Sequence, residues 1–159
     1  MDSGRPGLHD AGRFPDEFIV TLMQETERLP PPWAAELELR FARDSARTVL
    51  ACARHEGPLR VQRVLHPEGD AAECLLLHPP GGIAGGDRLR IDLSLDHGAR
   101  VLASTPGSGR WYRSAGRRAF FDVRLCVEAQ AQLEWLPQET VLFREADAAQ
   151  SVHMDLRGD

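Results

Sequence analysis

The chain has 159 residues, 42% of them hydrophobic and 27% charged, with a net charge of −5; this balance fits a globular domain and excludes a disordered chain or a bulk nucleic-acid binder. No window approaches about eighteen uninterrupted apolar residues, and the polar, Gly-rich start from Met1 to Pro15 lacks the pattern of a secretory signal. All 19 basic residues are arginine, which excludes a Schiff-base lysine and a Walker-type phosphate lysine.

Asparagine is absent as well as lysine, so a GC-rich coding bias accounts for the arginines as readily as guanidinium chemistry does. Three cysteines (Cys52, Cys74, Cys126) without CxxC spacing predict no disulfide framework and fit a reducing cytoplasm.

In chain order, residues 1–32 form an extension ending in Pro30-Pro31-Pro32. Phe18, Ile19, Leu22 and Met23 fall at helical spacing between Asp16 and Leu29, which predicts a short amphipathic helix, the alternative being a disordered extension. From Trp33 the period becomes 2. Leu37, Leu39 and Phe41 alternate with charges; so do Leu89, Ile91, Leu93 and Leu95, then Phe121, Val123, Leu125 and Val127, and finally Val152, Met154 and Leu156. Shorter strand-like runs cover 48–53, 59–65, 73–77, 99–104, 132–136 and 140–143, with Gly/Pro-rich turns between them. About ten strands predict an all-β domain over residues 33–159, an antiparallel two-layer sandwich or stacked-sheet scaffold. Parallel strands are not expected, because no helical period of roughly 10–15 residues separates the runs.

Two loops hold most of the candidate chemistry. His78-Pro79-Pro80-Gly81-Gly82-Ile83-Ala84-Gly85-Gly86-Asp87 could cradle an anion, yet it leads into a strand and matches no nucleotide motif. Its glycines equally suit a connection needing positive φ or close backbone approach. The second loop runs from Thr105 to Ser114 and carries Arg110, Trp111, Tyr112 and Arg113, a composition suited to a protein interface. Cys74 and His78, four apart, share a strand face and could offer two ligands to a metal in transit, or a buried thiol beside a strand-end histidine. Glu134 and Glu139 flank Trp135-Leu136-Pro137-Gln138; as a carboxylate pair in a cleft they would suit a sugar-binding or carbohydrate-active sandwich. No catalytic constellation emerges.

Taken in series, several segments resemble the urease accessory protein UreD (UreH) family. They are Gly57-Pro58-Leu59-Arg60-Val61-Gln62-Arg63, Pro67-Glu68-Gly69, Leu77 to Leu89 with the glycine loop, Thr105-Pro106-Gly107, Tyr112-Arg113-Ser114, and Leu133 to Thr140. The resemblance covers about Trp33 to Leu156 and leaves out the extension. It implies a non-catalytic β-rich scaffold that joins UreF and the GTPase UreG and docks onto apo-urease. Nickel would pass through transiently, and no cofactor would be tightly bound. By the same resemblance, His78, Gly81, Gly82, Gly85, Gly86, Asp87, Arg110, Tyr112, Arg113 and Glu139 are partner or ion-path candidates. His78, Cys74 and Glu73 are candidate transient metal contacts, and neither nucleic acid nor membrane is implied as a partner. Where the family usually has a lysine before the aromatic, Arg110 stands here; Glu73 occupies a position that is often histidine. Family members are longer, so a truncated, non-functional product is a further alternative.

Overall fold

A computed structural model describes residues 31–67 and 69–158. The helix expected between Asp16 and Leu29, and nearly all of the extension over residues 1–32, lie outside the described residues. Among these, the structure is all β, with eleven strands and no helix. The strands are β1 (Ala34–Arg43), β2 (Thr48–Glu56), β3 (Arg60–Val61), β4 (Ala72–Leu77), β5 (Arg88–Leu95), β6 (Arg100–Ser104), β7 (Gly109–Trp111), β8 (Ala119–Val127), β9 (Gln132–Leu136), β10 (Thr140–Leu142) and β11 (Ala148–Leu156). The alternating runs placed most of these correctly. β7 lies inside what the sequence suggested was a loop, and the run 59–65 yields only β3 and a bridge from Leu65 to Glu73.

The strands form a five-stranded sheet of order β11-β8-β5-β1-β2, a four-stranded sheet of order β3-β4-β6-β9, and a two-stranded sheet of β10 and β7. The expected antiparallel sandwich is corrected here. Only β1–β2 and β3–β4 pair antiparallel; the six other pairings are parallel. Parallel neighbours need a long return path, most often a helix. Here the return is made of strands in the other sheets. From β5 the chain passes to β6, then β7, then back to β8 beside β5, and the circuit repeats through β9 and β10 to β11. Partners lie about 30 positions apart, as in Arg100 with Gln132, Gly109 with Thr140 and Ala119 with Ala148, which is the period of a coiled β-stack.

Alternation then places each inward residue on a ladder running through successive turns of the coil. One ladder is Leu37, Ile91, Val123, Val152; the next is Leu39, Leu93, Leu125, Met154. Their first three members are fully buried and form the core with Ala72, Cys74 and Leu76 of β4 and Val101 and Ala103 of β6. Burying one such side chain contributes about 1.5–3 kcal/mol. Outward positions pair by charge, as when Arg90 reaches Asp92 at 2.6 Å.

The start of the stack is tied across sheets. The Thr48 N–H donates to the Asp70 carbonyl (2.8 Å), and its Oγ1 accepts from the Arg100 N–H (2.8 Å). The Asp70 carboxylate receives both Arg43 of β1 and Arg100 of β6, the latter at 3.0 Å. These arginines hold the Asp70 carboxyl below the usual aspartate range, the hydrogen bond from Arg43 first.

Candidate functional site

The glycine loop is built by hydrogen bonds around one carboxylate. Asp87 is buried; its Oδ1 accepts from the Trp33 N–H (2.7 Å) and its Oδ2 from the Ala84 N–H (2.8 Å). A turn at 78–81 is closed by the Gly81 N–H donating to the His78 carbonyl (2.8 Å), with Gly81 at φ 75°. Asp87 thus joins the loop to the chain entering β1, and Gly86, at φ 94°, precedes it in a conformation that favours glycine.

The structure brings the two loops together. The Ile83 N–H donates to the Arg110 carbonyl and the Tyr112 N–H to the Ile83 carbonyl, each at 2.8 Å, so Ile83 forms one more rung beside β7. The glycines make that approach possible. A Cβ on Gly82 would lie 2.1 Å from the Tyr112 ring, and one on Gly85 would lie 1.9 Å from the Ser114 carbonyl oxygen. Among the alternatives left by the sequence, close backbone approach accounts for these two positions.

Trp111 is buried in the core, and the rest of the arginine–aromatic segment faces outward. Tyr112 is exposed and packs on Phe143, ring centroids 5.2 Å apart. Arg113 meets Glu145 at 2.7 Å, with both side chains largely in solvent. Arg110 is exposed; Glu139 is exposed too, and its carbonyl accepts from the Gly109 N–H (2.9 Å). Phe143 and Glu145 were missed by sequence reasoning. The signal that would have found them is the coil period, which puts β10 beside β7 and its following residues beside Tyr112 and Arg113.

Behind these loops lies an apolar cavity of about 310 Å³ whose walls come from successive turns: Leu76 and His78, then Ile91 and Trp111, then Phe121, then Gln150. Gly81, Gly82 and Arg110 also line it. His78 Nε2 is buried without a protein hydrogen-bond partner. Burial pushes the His78 imidazole below its usual pKa, with nearby Asp87 acting the other way. The uncharged ring has a free lone pair or N–H for a small polar visitor.

The three candidate metal contacts do not converge. Cys74 is buried in the core, and burial pushes its thiol up to about 12, far from the thiolate a metal prefers. Glu73, on the opposite strand face, lines an outer groove with Arg100 and Glu134. Among the described residues no group of three or more His, Cys, Asp or Glu is placed to hold a metal ion. Glu134 lines that outer groove, and Glu139 is not among its walls.

Residues 34–159 match the family model described as UreD urease accessory protein. The urease accessory protein UreD of Delftia acidovorans is 55% identical over 126 residues, covering 78% of this chain and 41% of that protein. The protein of the same name from Cupriavidus pinatubonensis is 52% identical over 120 residues, covering 76% and 42%. That from Dechloromonas aromatica is 49% identical over 142 residues, covering 84% and 49%. The chain therefore spans less than half the length of these relatives. The matched span takes in the Asp87-anchored loop, the Tyr112 segment and β11, so this chain belongs to the UreD family of urease accessory proteins.

Proposed function

We propose that the chain is a non-catalytic scaffold in urease maturation, joining UreF-type and UreG-type accessory proteins to apo-urease while nickel is inserted. The observation that carries this reading is the family match across residues 34–159, which includes both loops. The geometry supports it in two ways. Tyr112, Arg113 and Phe143 form an exposed aromatic–guanidinium surface of the kind that anchors protein partners. Behind it, the cavity through successive turns presents the unpartnered His78 Nε2, a site where nickel as cargo could pause without being trapped. GTP hydrolysis would belong to the partner.

The test is co-expression with UreF-type and UreG-type proteins, followed by affinity purification of the assembly. The intact chain is expected to bring both partners with it. Replacing Tyr112 and Arg113 together by alanine should reduce recovery of the assembly. Arg90→Ala, which alters only an outer-face ion pair with Asp92, should not. No association when all three proteins are soluble would overturn the proposal, and equal effects of the two changes would overturn the placement of the surface.

A further inference from the structure

The cavity behind the two loops has a lining divided by chemistry. Its buried part is apolar: Leu59, Leu89, Ile91 and Trp111 all line it and belong to the core. Its solvent-exposed part carries Arg110, Gln138 and Thr140. No Asp or Glu is among the walls, and Arg110 is their one arginine. Nearby Arg113 is paired with Glu145, whereas the Arg110 guanidinium has no ion pair or hydrogen bond among the described residues. Water satisfies an exposed guanidinium, so the fold does not require a partner there. What Arg110 supplies is a fixed positive charge with five N–H donors at the open side of an apolar chamber.

We propose that this cavity binds a small amphipathic carboxylate, its apolar tail on the buried walls and its carboxylate on the Arg110 guanidinium. Size limits the occupant. At about 310 Å³ the cavity stands at the small end of ligand pockets, which suits a molecule of about ten non-hydrogen atoms. Charge selects the head group. The planar guanidinium fork matches a carboxylate through two parallel hydrogen bonds, and one arginine balances one negative charge. Ser108 and Gln138, also in the lining, add a hydroxyl and an amide to that polar side. A nucleotide or inorganic phosphate would bring more charge than this single arginine balances, and would leave the apolar walls unused. His78 takes no part in the assignment, which does not depend on the urease reading.

The experiment titrates the chain with octanoate, hexanoate and 1-octanol at about pH 7.5, where both carboxylates are ionised, and follows side-chain resonances by NMR. Octanoate should shift the Ile91 methyl and Trp111 indole signals with a Kd of about 0.1 mM, and leave the Met154 methyl unmoved. Hexanoate, two methylenes shorter, should bind about tenfold more weakly or worse. Octanol keeps the tail without the charge and should bind about fivefold more weakly or worse than octanoate. Arg110→Gln should weaken octanoate by that same factor and leave octanol unaltered. This variant changes an exposed side chain, and thermal unfolding verifies that it folds. Silence of Ile91 and Trp111 at millimolar octanoate would overturn the proposal. So would shifts confined to Met154 and Leu156, which would mean adsorption on exposed strand residues only. Affinity indifferent to tail length, or equal octanoate binding by the unaltered chain and Arg110→Gln, would overturn it as well.

Discussion

Gly85 has no room for a side chain, because the Ser114 carbonyl oxygen stands where a Cβ would project. Ser114 cannot retreat easily: it is buried, its N–H donates to the Glu145 carbonyl (3.0 Å), and its Oγ bonds the Asp147 backbone. Gly85→Ala should therefore destabilise the protein by about 1–3 kcal/mol, read as a lower denaturant midpoint. Gly107→Ala, in the facing loop with nothing near its Cβ, should leave the midpoint almost unchanged. Equal midpoints for the two variants would refute the close-approach account. His78 gives a second prediction at this scale. Its folded pKa lies below its ordinary value of 6.5, so the unfolded chain binds the proton first as pH falls. The stability contributed by the neutral ring is complete above about pH 6.5 and is lost as the pH falls below it. Denaturant midpoints compared at neutral and mildly acid pH should drop less for His78→Gln than for the unaltered chain; the same drop in both would refute it.

At the scale of the strands, residues on one ladder should differ in energy according to their turn of the coil. Leu93→Ala removes a side chain packed on all sides and should lower stability by about 2–5 kcal/mol. Met154→Ala, two rungs along the same ladder, should change it by no more than about 0.5 kcal/mol in the isolated chain. Comparable losses measured by urea titration would mean that the last turn is already covered. The same ladders explain what was legible beforehand. Alternation along Leu89 to Leu95 states which face of a strand is buried, and it did so correctly for β1, β5 and β8. It is silent on strand direction, because side-chain period is the same in parallel and antiparallel sheets. Direction depends on where the chain goes between paired strands, and the return through β6 and β7 carries no helical period to announce it. The loops at residues 78–87 and 105–114 stood out through their glycines and aromatics. Their contact did not, since it depends on Ile83 and β7 being successive rungs of one stack. Asp70 adds an electrostatic prediction for the elements it joins. Its lowered pKa means that the stability it contributes is present above its unfolded value of 3.8 and is lost as pH falls through and below that value. Asp70→Asn should weaken the neutral-pH fold and flatten that acid limb, as followed by circular dichroism.

For the whole molecule, a coil stacked turn upon turn behaves as a nearly one-dimensional array, in which each turn is stabilised mainly by its neighbours. The middle turn, holding β5 and β6, has neighbours on both sides; the last, holding β9, β10 and β11, has one. The first turn compensates with the β2 cap and the Asp70 ion pairs to Arg43 and Arg100. Opening of β11 exposes little additional apolar area of its own, since Met154 and Leu156 are already more than half in solvent, so its free energy should fall well below that of global unfolding. Native-state hydrogen exchange of the isolated chain tests this directly. Amides of β5 bonded to β1 and β8 should exchange only through global unfolding and follow its denaturant dependence. Those of β11 bonded to β8 should exchange through a smaller opening with a weak denaturant dependence, and β2 should lie nearer β5 than β11. Uniform protection from β2 to β11 would mean that the molecule unfolds as one cooperative block. The unequal finish of its two ends would then have no energetic consequence in the isolated chain.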